Sequence, residues 1–243
     1  MNLDTTVQPI RCGVLPIFFV IDTSGCAYAY EKNAISMEIE EIRDLSKDEM
    51  YEIKIAILEF SSSTRWITNG LIEFEKFNWY NYDSPADFGA ACKALNDKLS
   101  RTAFMQDTHS FAPIIILTSQ GIPNDDWKRP LIELRNNEWF AKAIKVAVAI
   151  GEDANIDLLA EFTGSKDAVI KFQPNIICLL IKEAVNSIWI SLDLPISREE
   201  DDENELQTIF NSNIKRNQKI NQDSSETKDG LNNKSTNQWD DDW

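Results

Sequence analysis

The hydrophobic positions along the chain fall into short apolar runs, separated by stretches with helical periodicity. Four of the runs are typical of buried β-strands, over residues 14–21, 53–60, 113–118 and 143–150. Between the runs, apolar residues recur every three or four positions, as on one face of an amphipathic helix. The alternation of buried strands with helices predicts an α/β fold with a mostly parallel central sheet.

Residues that typically start or end helices and strands predict the other elements. Three serines after residue 60 lead to a short strand over 64–68, which predicts a hairpin and one antiparallel edge strand. Ser84 and Pro85 are typical of a helix start, and that helix is expected to run to Ser100. The remaining predictions are a helix near 34–45, a helix from Trp127 that breaks at Asn136 and Asn137, helices over 155–162 and 174–192, and a strand over 169–172.

The composition changes after Pro195. Residues 198–205 are an acidic run, and the chain that follows is rich in Asn, Gln, Ser, Asp and Lys. Such a segment buries too little apolar surface to offset the entropy lost on ordering. We therefore divide the chain into an N-terminal extension over 1–13, one domain over 14–195 and a disordered tail over 196–243.

Two features interrupt the polarity of this tail. Four apolar residues have the spacing of one or two amphipathic helical turns: Leu206, Ile209, Phe210 and Ile214. The last five residues are Trp239, Asp240, Asp241, Asp242 and Trp243. Tryptophans without a local core to join are efficient anchors in a partner's pocket, so this end of the chain predicts a short partner-binding motif. The alternative is an incidental polar tail.

The net charge and the cysteine content exclude some classes of function. The formal net charge of -16 opposes loose association with nucleic acid or an anionic membrane, so the expected partner is a protein with a basic surface. No apolar run approaches the ~20 residues that cross a bilayer, and the first residues lack the pattern of a signal peptide. The four cysteines form no CxxC pair. These features predict a cytoplasmic protein with reduced thiols.

Candidate chemistry gathers where predicted strands end. Asp22, Ser24 and Cys26 follow the first strand, and a polar loop over 119–126 follows a later one. Ligand sites of open α/β sheets lie at the carboxyl ends of parallel strands, so we expect the two loops to lie close together. Asp22 and Ser24 offer the hard oxygen ligands that a divalent cation prefers, whereas the Cys26 thiol is a poor ligand for magnesium or calcium.

Three motifs, in order, resemble a von Willebrand factor A domain. They are Asp-Thr-Ser-Gly-Cys at 22–26, Ala-Asp-Phe-Gly-Ala-Ala at 86–91 and Ile-Leu-Thr-Ser-Gln-Gly-Ile-Pro-Asn-Asp-Asp-Trp at 116–127. The likeness covers roughly residues 15–192 and is greatest to the bacterial TerY-like branch, which is associated with tellurite resistance. The resemblance implies a Rossmann-like sheet with helices on both faces.

The resemblance also implies a metal-ion-dependent adhesion site at the upper rim of the sheet. In the family, this site consists of an Asp-x-Ser-x-Ser loop, a threonine and a late aspartate. Asp22 and Ser24 match the first two ligands, whereas Cys26 stands at the second serine, Ala86 at or near the threonine and Gln120 at the late aspartate. One carboxylate and two hard ligands are therefore lost.

These departures predict a degenerate site that binds no metal and needs no cofactor. What then keeps Asp22 in place is hydrogen bonding, because a carboxylate at a strand end can accept backbone N–H groups of its own loop. The alternative is a weak Mg²⁺ or Mn²⁺ site that survives through Asp22, Ser24 and Asp87, with water filling the gaps.

The resulting expectation is a non-enzymatic interaction module. The rim around Asp22, Ser24 and Gln120 competes with the terminus over 239–243 as the surface that binds a partner. The TerY-like resemblance implies a bacterial stress-response or defence system, in which a protein kinase and a protein phosphatase are the expected partners.

An enzyme is the alternative of another class. The chain contains no GxxxxGK[ST], GxGxxG, GxSxG or HExxH motif. The remaining possibility is a metal-assisted hydrolase that uses the carboxylates of Asp22, Asp125 and Asp126. We expect instead that Asp125 and Asp126 cap the helix that follows them, where negative charge meets the helix dipole favourably.

Overall fold

The structure is a computed structural model that describes residues 13–24, 52–72, 87–173, 175–193 and 205–217. Several predicted features lie outside the described residues: the N-terminal extension up to residue 12, the helix near 34–45, the helix start at Ser84 and Pro85, and the tail beyond residue 217.

A six-stranded sheet forms the centre of the described structure. Its strands are β1 (Val14–Asp22), β2 (Glu52–Phe60), β3 (Thr64–Trp66), β4 (Ile114–Ser119), β5 (Ile144–Ala149) and β6 (Val169–Lys171). Their order is β3-β2-β1-β4-β5-β6, and every neighbouring pair is parallel except β2 and β3. The prediction of a mostly parallel sheet with one antiparallel edge strand is confirmed.

Helices cover both faces of this sheet. They are α1 (Phe88–Lys98), α2 (Lys128–Arg135), α3 (Glu138–Lys142), α4 (Ile156–Thr163), α5 (Ile176–Asp193) and α6 (205–217), with a 3₁₀ turn at Lys166–Ala168. The predicted break after α2 is present, because the Asn137 side chain accepts the N–H groups of Trp139 and Phe140 at 2.9 and 3.3 Å and so starts α3. Within the described residues, no helix combines the length and the apolar character needed to cross a membrane.

The core lies on both sides of β1. Ile17 and Phe19 point to the face covered by α5 and α6, whereas Phe18 and Val20 point to the face covered by α1 to α4. Every residue of β1 is buried for this reason. A strand covered on both faces has a continuous apolar sequence, which is why β1 is recognisable before the structure is known.

Helix α6 lies within the predicted disordered tail, at the four apolar residues whose spacing indicated one or two amphipathic turns, and it is longer than those turns. Phe210 and Ile214 are buried at 0% and 2% exposure and join the α5 side of the core. The composition of the whole tail is polar, but the apolar stripe that includes these two residues packs in a groove that the domain already provides. Burial of that stripe offsets the ordering of one short helix.

The side chain of Gln207 ties α6 to the sheet. Strand β6 begins opposite Ala147, so the backbone of Lys145 has no strand neighbour on that side. The Gln207 Oε1 accepts the Lys145 N–H at 2.7 Å, and its Nε2 donates to the Lys145 carbonyl at 2.9 Å. One amide side chain therefore completes the hydrogen bonding of a buried strand segment.

Candidate functional site

The carboxyl ends of β1 and β4 bring two polar side chains together. Asp22 ends β1 and Ser119 ends β4, and the preceding residues Ile21 and Thr118 are in register. Asp22 Oδ2 accepts a hydrogen bond of 2.6 Å from Ser119 Oγ. Both side chains are buried, so this charge-assisted bond lies where the surroundings screen it little.

The second oxygen of Asp22 is also bonded. Its Oδ1 accepts the Ser24 N–H at 3.0 Å and the Ser24 hydroxyl at 2.5 Å. The loop after β1 therefore folds back onto the carboxylate, as the hydrogen-bonding interpretation of Asp22 expects. Ser119 Oγ accepts the Gly121 N–H at 2.9 Å, which ties the loop after β4 to the same cluster.

Gln120, the residue matched to the late aspartate, lies elsewhere on the rim. Its carbonyl accepts the Asn155 N–H at 2.8 Å, and its side-chain Nε2 lies 3.3 Å from where a Cβ on Gly151 would be. Within the part of the chain that the structure describes, no hydrogen bond joins Gln120 to Asp22. Ser119 occupies the position beside the carboxylate instead.

Asp125 also has a different role from the expected one. Its two oxygens accept the N–H groups of Gly89 and Ala90 at 3.0 and 2.9 Å, so it caps α1, which lies far from it in sequence. The expectation that it caps α2 is corrected: the N-cap of that helix is Trp127, which makes no side-chain capping bond. Gly89 permits this contact, because a Cβ there would lie 2.6 Å from the Asp126 carbonyl oxygen.

The structure thus brings together some of the predicted site residues. Asp22 and Ser24 are in contact, Gln120 is a neighbour on the rim, and Asp87 starts α1 without a side-chain capping bond. Sequence reasoning missed Ser119. The period of two along β4, which puts residues 117 and 119 on one face, was the available signal. Cys26, Ala86 and the terminus over 239–243 lie outside the described residues.

The rim cluster offers oxygen atoms of the kind that bind a divalent cation. The cluster contains one carboxylate, from Asp22, and two hydroxyls, from Ser24 and Ser119. No group of three His, Cys, Asp or Glu side chains lies together in the described ranges. Magnesium takes about six oxygen ligands and usually one or two carboxylates. Asp22, Ser24 and Ser119 thus offer one carboxylate and two hydroxyls, and water would have to supply the remaining ligands of such an ion.

The described cysteine Cys92 is not activated. Burial raises the pKa of the Cys92 thiol far above its ordinary value, and the Asp125 carboxylate adds to the effect. Only the thiolate is a good nucleophile. Cys92 therefore acts as a small apolar residue on the buried face of α1.

No protein-family model and no curated protein sequence matches the chain. Solved structures do match the chain. Proximal thread matrix protein 1 from the mussel byssus, in its second crystal form, has a TM-score of 0.53 at 15% identity, over 71% of this chain and 47% of that one. The same mussel protein with a zinc-occupied MIDAS motif has a TM-score of 0.52 at 15% identity, over the same shares of the two chains. The manganese-loaded TRAP protein of Plasmodium vivax has a TM-score of 0.51 at 17% identity, over 71% of this chain and 73% of that one.

These likenesses concern the fold. The strand order, the single antiparallel edge and the helices on both faces are those of a von Willebrand factor A fold, and the chain has that fold. It spans about half the length of the mussel protein that it matches.

Proposed function

We propose that this chain is a non-enzymatic protein–protein interaction module whose partner binds at the rim around Asp22, Ser24 and Gln120. The observation that carries the proposal is the hydrogen bonding of Asp22. Both of its oxygens accept bonds, from Ser24 and Ser119. A rim held in this way is ordered without a cation, so a partner can bind it in the absence of metal.

Ile122 offers an apolar contact on the same rim. Its side chain is 54% exposed, whereas the loop that carries it is fixed by the Ser119 and Gly121 hydrogen bond and by the bond between Gln120 and Asn155. An exposed apolar side chain on a fixed loop loses little entropy when a partner covers it. Ile122 is therefore our choice of probe for the rim.

We further propose a cytoplasmic role in a bacterial stress-response or defence system, in complex with regulators such as a protein kinase and a protein phosphatase. The TerY-like motifs at 22–26 and 116–127 support this setting. The net charge of -16 supports partners with basic surfaces.

Binding of purified candidate partners tests the rim. Kinases and phosphatases encoded by neighbouring genes are the first to try, by calorimetry with the full chain. Ile122→Asp should weaken binding at least about tenfold, which is about 1.4 kcal/mol. Ile132→Asp is the matched control, because Ile132 is 57% exposed on α2, outside the loop that carries Ile122. Equal binding of the partner by the wild type, Ile122→Asp and Ile132→Asp would exclude the rim as the contact surface.

A cation-dependent rim is the second candidate. It is favoured by the hard oxygens around Asp22, whose carboxylate lies 2.5 Å from Ser24 Oγ and 2.6 Å from Ser119 Oγ. Asp87 would add a second carboxylate. The fold is shared with a mussel protein whose MIDAS motif holds zinc. Titration of Mg²⁺ or Mn²⁺ separates the candidates, since an ion that binds the folded state must raise the melting temperature. We expect no rise, and a rise that Asp22→Asn abolishes would establish the cation site.

The hydrolase alternative relies on Asp22, Asp125 and Asp126. Both oxygens of Asp125 are engaged in capping α1, which leaves that carboxylate poorly placed to hold a metal. We expect no metal-dependent turnover of phosphate or acyl esters. Turnover that is present in the wild type and lost in Asp22→Asn would show an enzyme after all.

A further inference from the structure

A cleft lies at the other end of the sheet from the rim. It has a volume of about 220 Å³ and is lined by Arg135 from the end of α2, Lys145 from the start of β5, and the residues around Phe140 and Phe162. That volume is several times the ~30 Å³ of one water molecule. The first and last residues of β5, Ile144 and Ala149, are about 17 Å apart at a rise of ~3.3 Å per step, and this strand separates the cleft from the rim.

Within the described residues, the two cations of this cleft donate to carbonyl oxygens and not to carboxylates. Lys145 is only 5% exposed, and its Nζ donates to three carbonyls, those of Phe140, Ala141 and Ala143, at 3.0, 3.3 and 2.9 Å. The Arg135 guanidinium donates to the Glu161 carbonyl. Over the described ranges, neither side chain forms an ion pair with a carboxylate.

Neutral carbonyls satisfy the donors of Lys145 but do not neutralise its charge. Buried lysines are rare unless they are paired with an anion. Burial accordingly lowers the pKa of Lys145 to about 8. At neutral pH the side chain is still mostly protonated, so a positive charge lies at the wall of the cleft.

We propose that this cleft binds an oxyanion, the phosphate or carboxylate group of a ligand, through the Arg135 guanidinium. The planar guanidinium presents donors in a fork that matches such groups. Lys145 contributes its charge, since its three donors are already engaged. The buried rings of Phe140 and Phe162 keep water away from that charge, which strengthens its attraction for an anion.

The oxyanion can be a free ion or an acidic side chain of a polypeptide, and the two sources can be distinguished. Inorganic phosphate is the probe for the first, and a peptide with the sequence of residues 239–243 is the probe for the second. Each is added to the full chain at constant ionic strength. Thermal melting and the NMR titration of the Lys145 side chain are the measurements.

The proposal expects a bound probe to raise the melting temperature and to raise the pKa of Lys145 above about 8. Arg135→Gln should weaken binding at least about tenfold. Arg129→Gln is the matched control on the same helix, because Arg129 is exposed and paired with Glu133 at 2.9 Å. It should bind the probe as the wild type does.

The outcomes distinguish the two sources of the oxyanion, and some of them would overturn the proposal. A response to phosphate supports a free oxyanion, and a response to the peptide alone supports an acidic polypeptide. Equal losses in Arg135→Gln and Arg129→Gln indicate an adventitious ion only and overturn the proposal. So does the absence of any response, or a response that leaves the pKa of Lys145 unchanged.

Discussion

At the scale of single residues, the rim depends on one buried carboxylate, Asp22, whose two oxygens both accept hydrogen bonds. Asp22 is 5% exposed, and such burial is costly for a charge unless donors surround it. Ser24 supplies donors from the loop after β1, and Ser119 supplies one from the end of β4, where the other rim loop begins. The two loops are therefore coupled through the carboxylate.

Ser119→Ala should lower the free energy of unfolding by about 2 kcal/mol. It removes a hydrogen bond to a charged group and leaves the Gly121 N–H without its acceptor. Urea denaturation measures the loss. Ser62→Ala, at an exposed position, is the control and should stay within about 0.5 kcal/mol of the wild type. A loss in Ser119→Ala no larger than in the control would mean that the hydroxyl does not hold the rim.

Lys145 gives the folded state a dependence on pH. Burial lowers the pKa of Lys145 from 10.5 to about 8. Between these values the unfolded chain binds more protons than the folded one, so the free energy of unfolding rises with pH. Relative to Lys145→Met, the wild type should gain about 3 kcal/mol between about pH 7 and pH 11. Denaturation at several pH values checks this, and parallel curves for the two proteins would contradict it.

Only some of the rim residues could be predicted from the sequence. Asp22 and Ser24 could be predicted because they follow an unmistakable strand. Ser119 was missed because the motif gives only the order of residues, whereas the pleat of β4, with its period of two, decides which side chain faces Asp22. Asp125 was assigned to the next helix because capping is a local rule, and a cap that joins residues 36 apart leaves no local signal.

At the scale of elements, the loop over 119–127 and helix α1 depend on each other. Asp125 caps α1 from outside, and Gly89 lets the loop approach. Asp125→Ala should lower the free energy of unfolding by about 1 kcal/mol, the usual value of an N-cap. Gly89→Ala should cost more, because the added methyl group meets the backbone of residues 126 and 127. Chemical denaturation ranks the two, and a neutral Gly89→Ala would show that the loop yields easily.

Helix α6 could not be predicted from the composition of its segment. Its polar residues outnumber its apolar ones, so a segment average predicts disorder, whereas the spacing of its apolar residues marks a helix with one buried stripe. The missing information was the receiving groove, which β5, α5 and the shortness of β6 create together. A local sequence does not reveal a groove built by distant elements.

Phe210→Ala should lower the free energy of unfolding by about 3 to 5 kcal/mol, as expected for a fully buried phenylalanine. Ser212→Ala changes an exposed position on the same helix and should be nearly neutral. Hydrogen exchange adds a local measurement, since release of α6 also frees the Lys145 N–H from Gln207. Unchanged protection of that amide in Phe210→Ala would show that α6 does not cover the edge of β5.

At the scale of the whole molecule, the two surfaces expected to bind partners can act alone or together. The rim is fixed by hydrogen bonds and offers Ile122, whereas the terminus over 239–243 offers two tryptophans and three aspartates. Two linked contacts to one partner reinforce each other through effective concentration, by about 10²- to 10⁴-fold. The loss on removing one contact then depends on whether the other remains.

Ile122→Asp, deletion of 239–243, and the two changes combined distinguish these cases. If both surfaces bind one partner, each single change should weaken binding, but calorimetry should still detect it. The combined change should abolish binding. If only the rim binds, the deletion should behave as the wild type and the combination as Ile122→Asp. Ile132→Asp controls for added negative charge on a chain that already carries -16. A deletion that abolishes binding while Ile122→Asp has no effect would place the contact at the terminus and leave the rim without a partner.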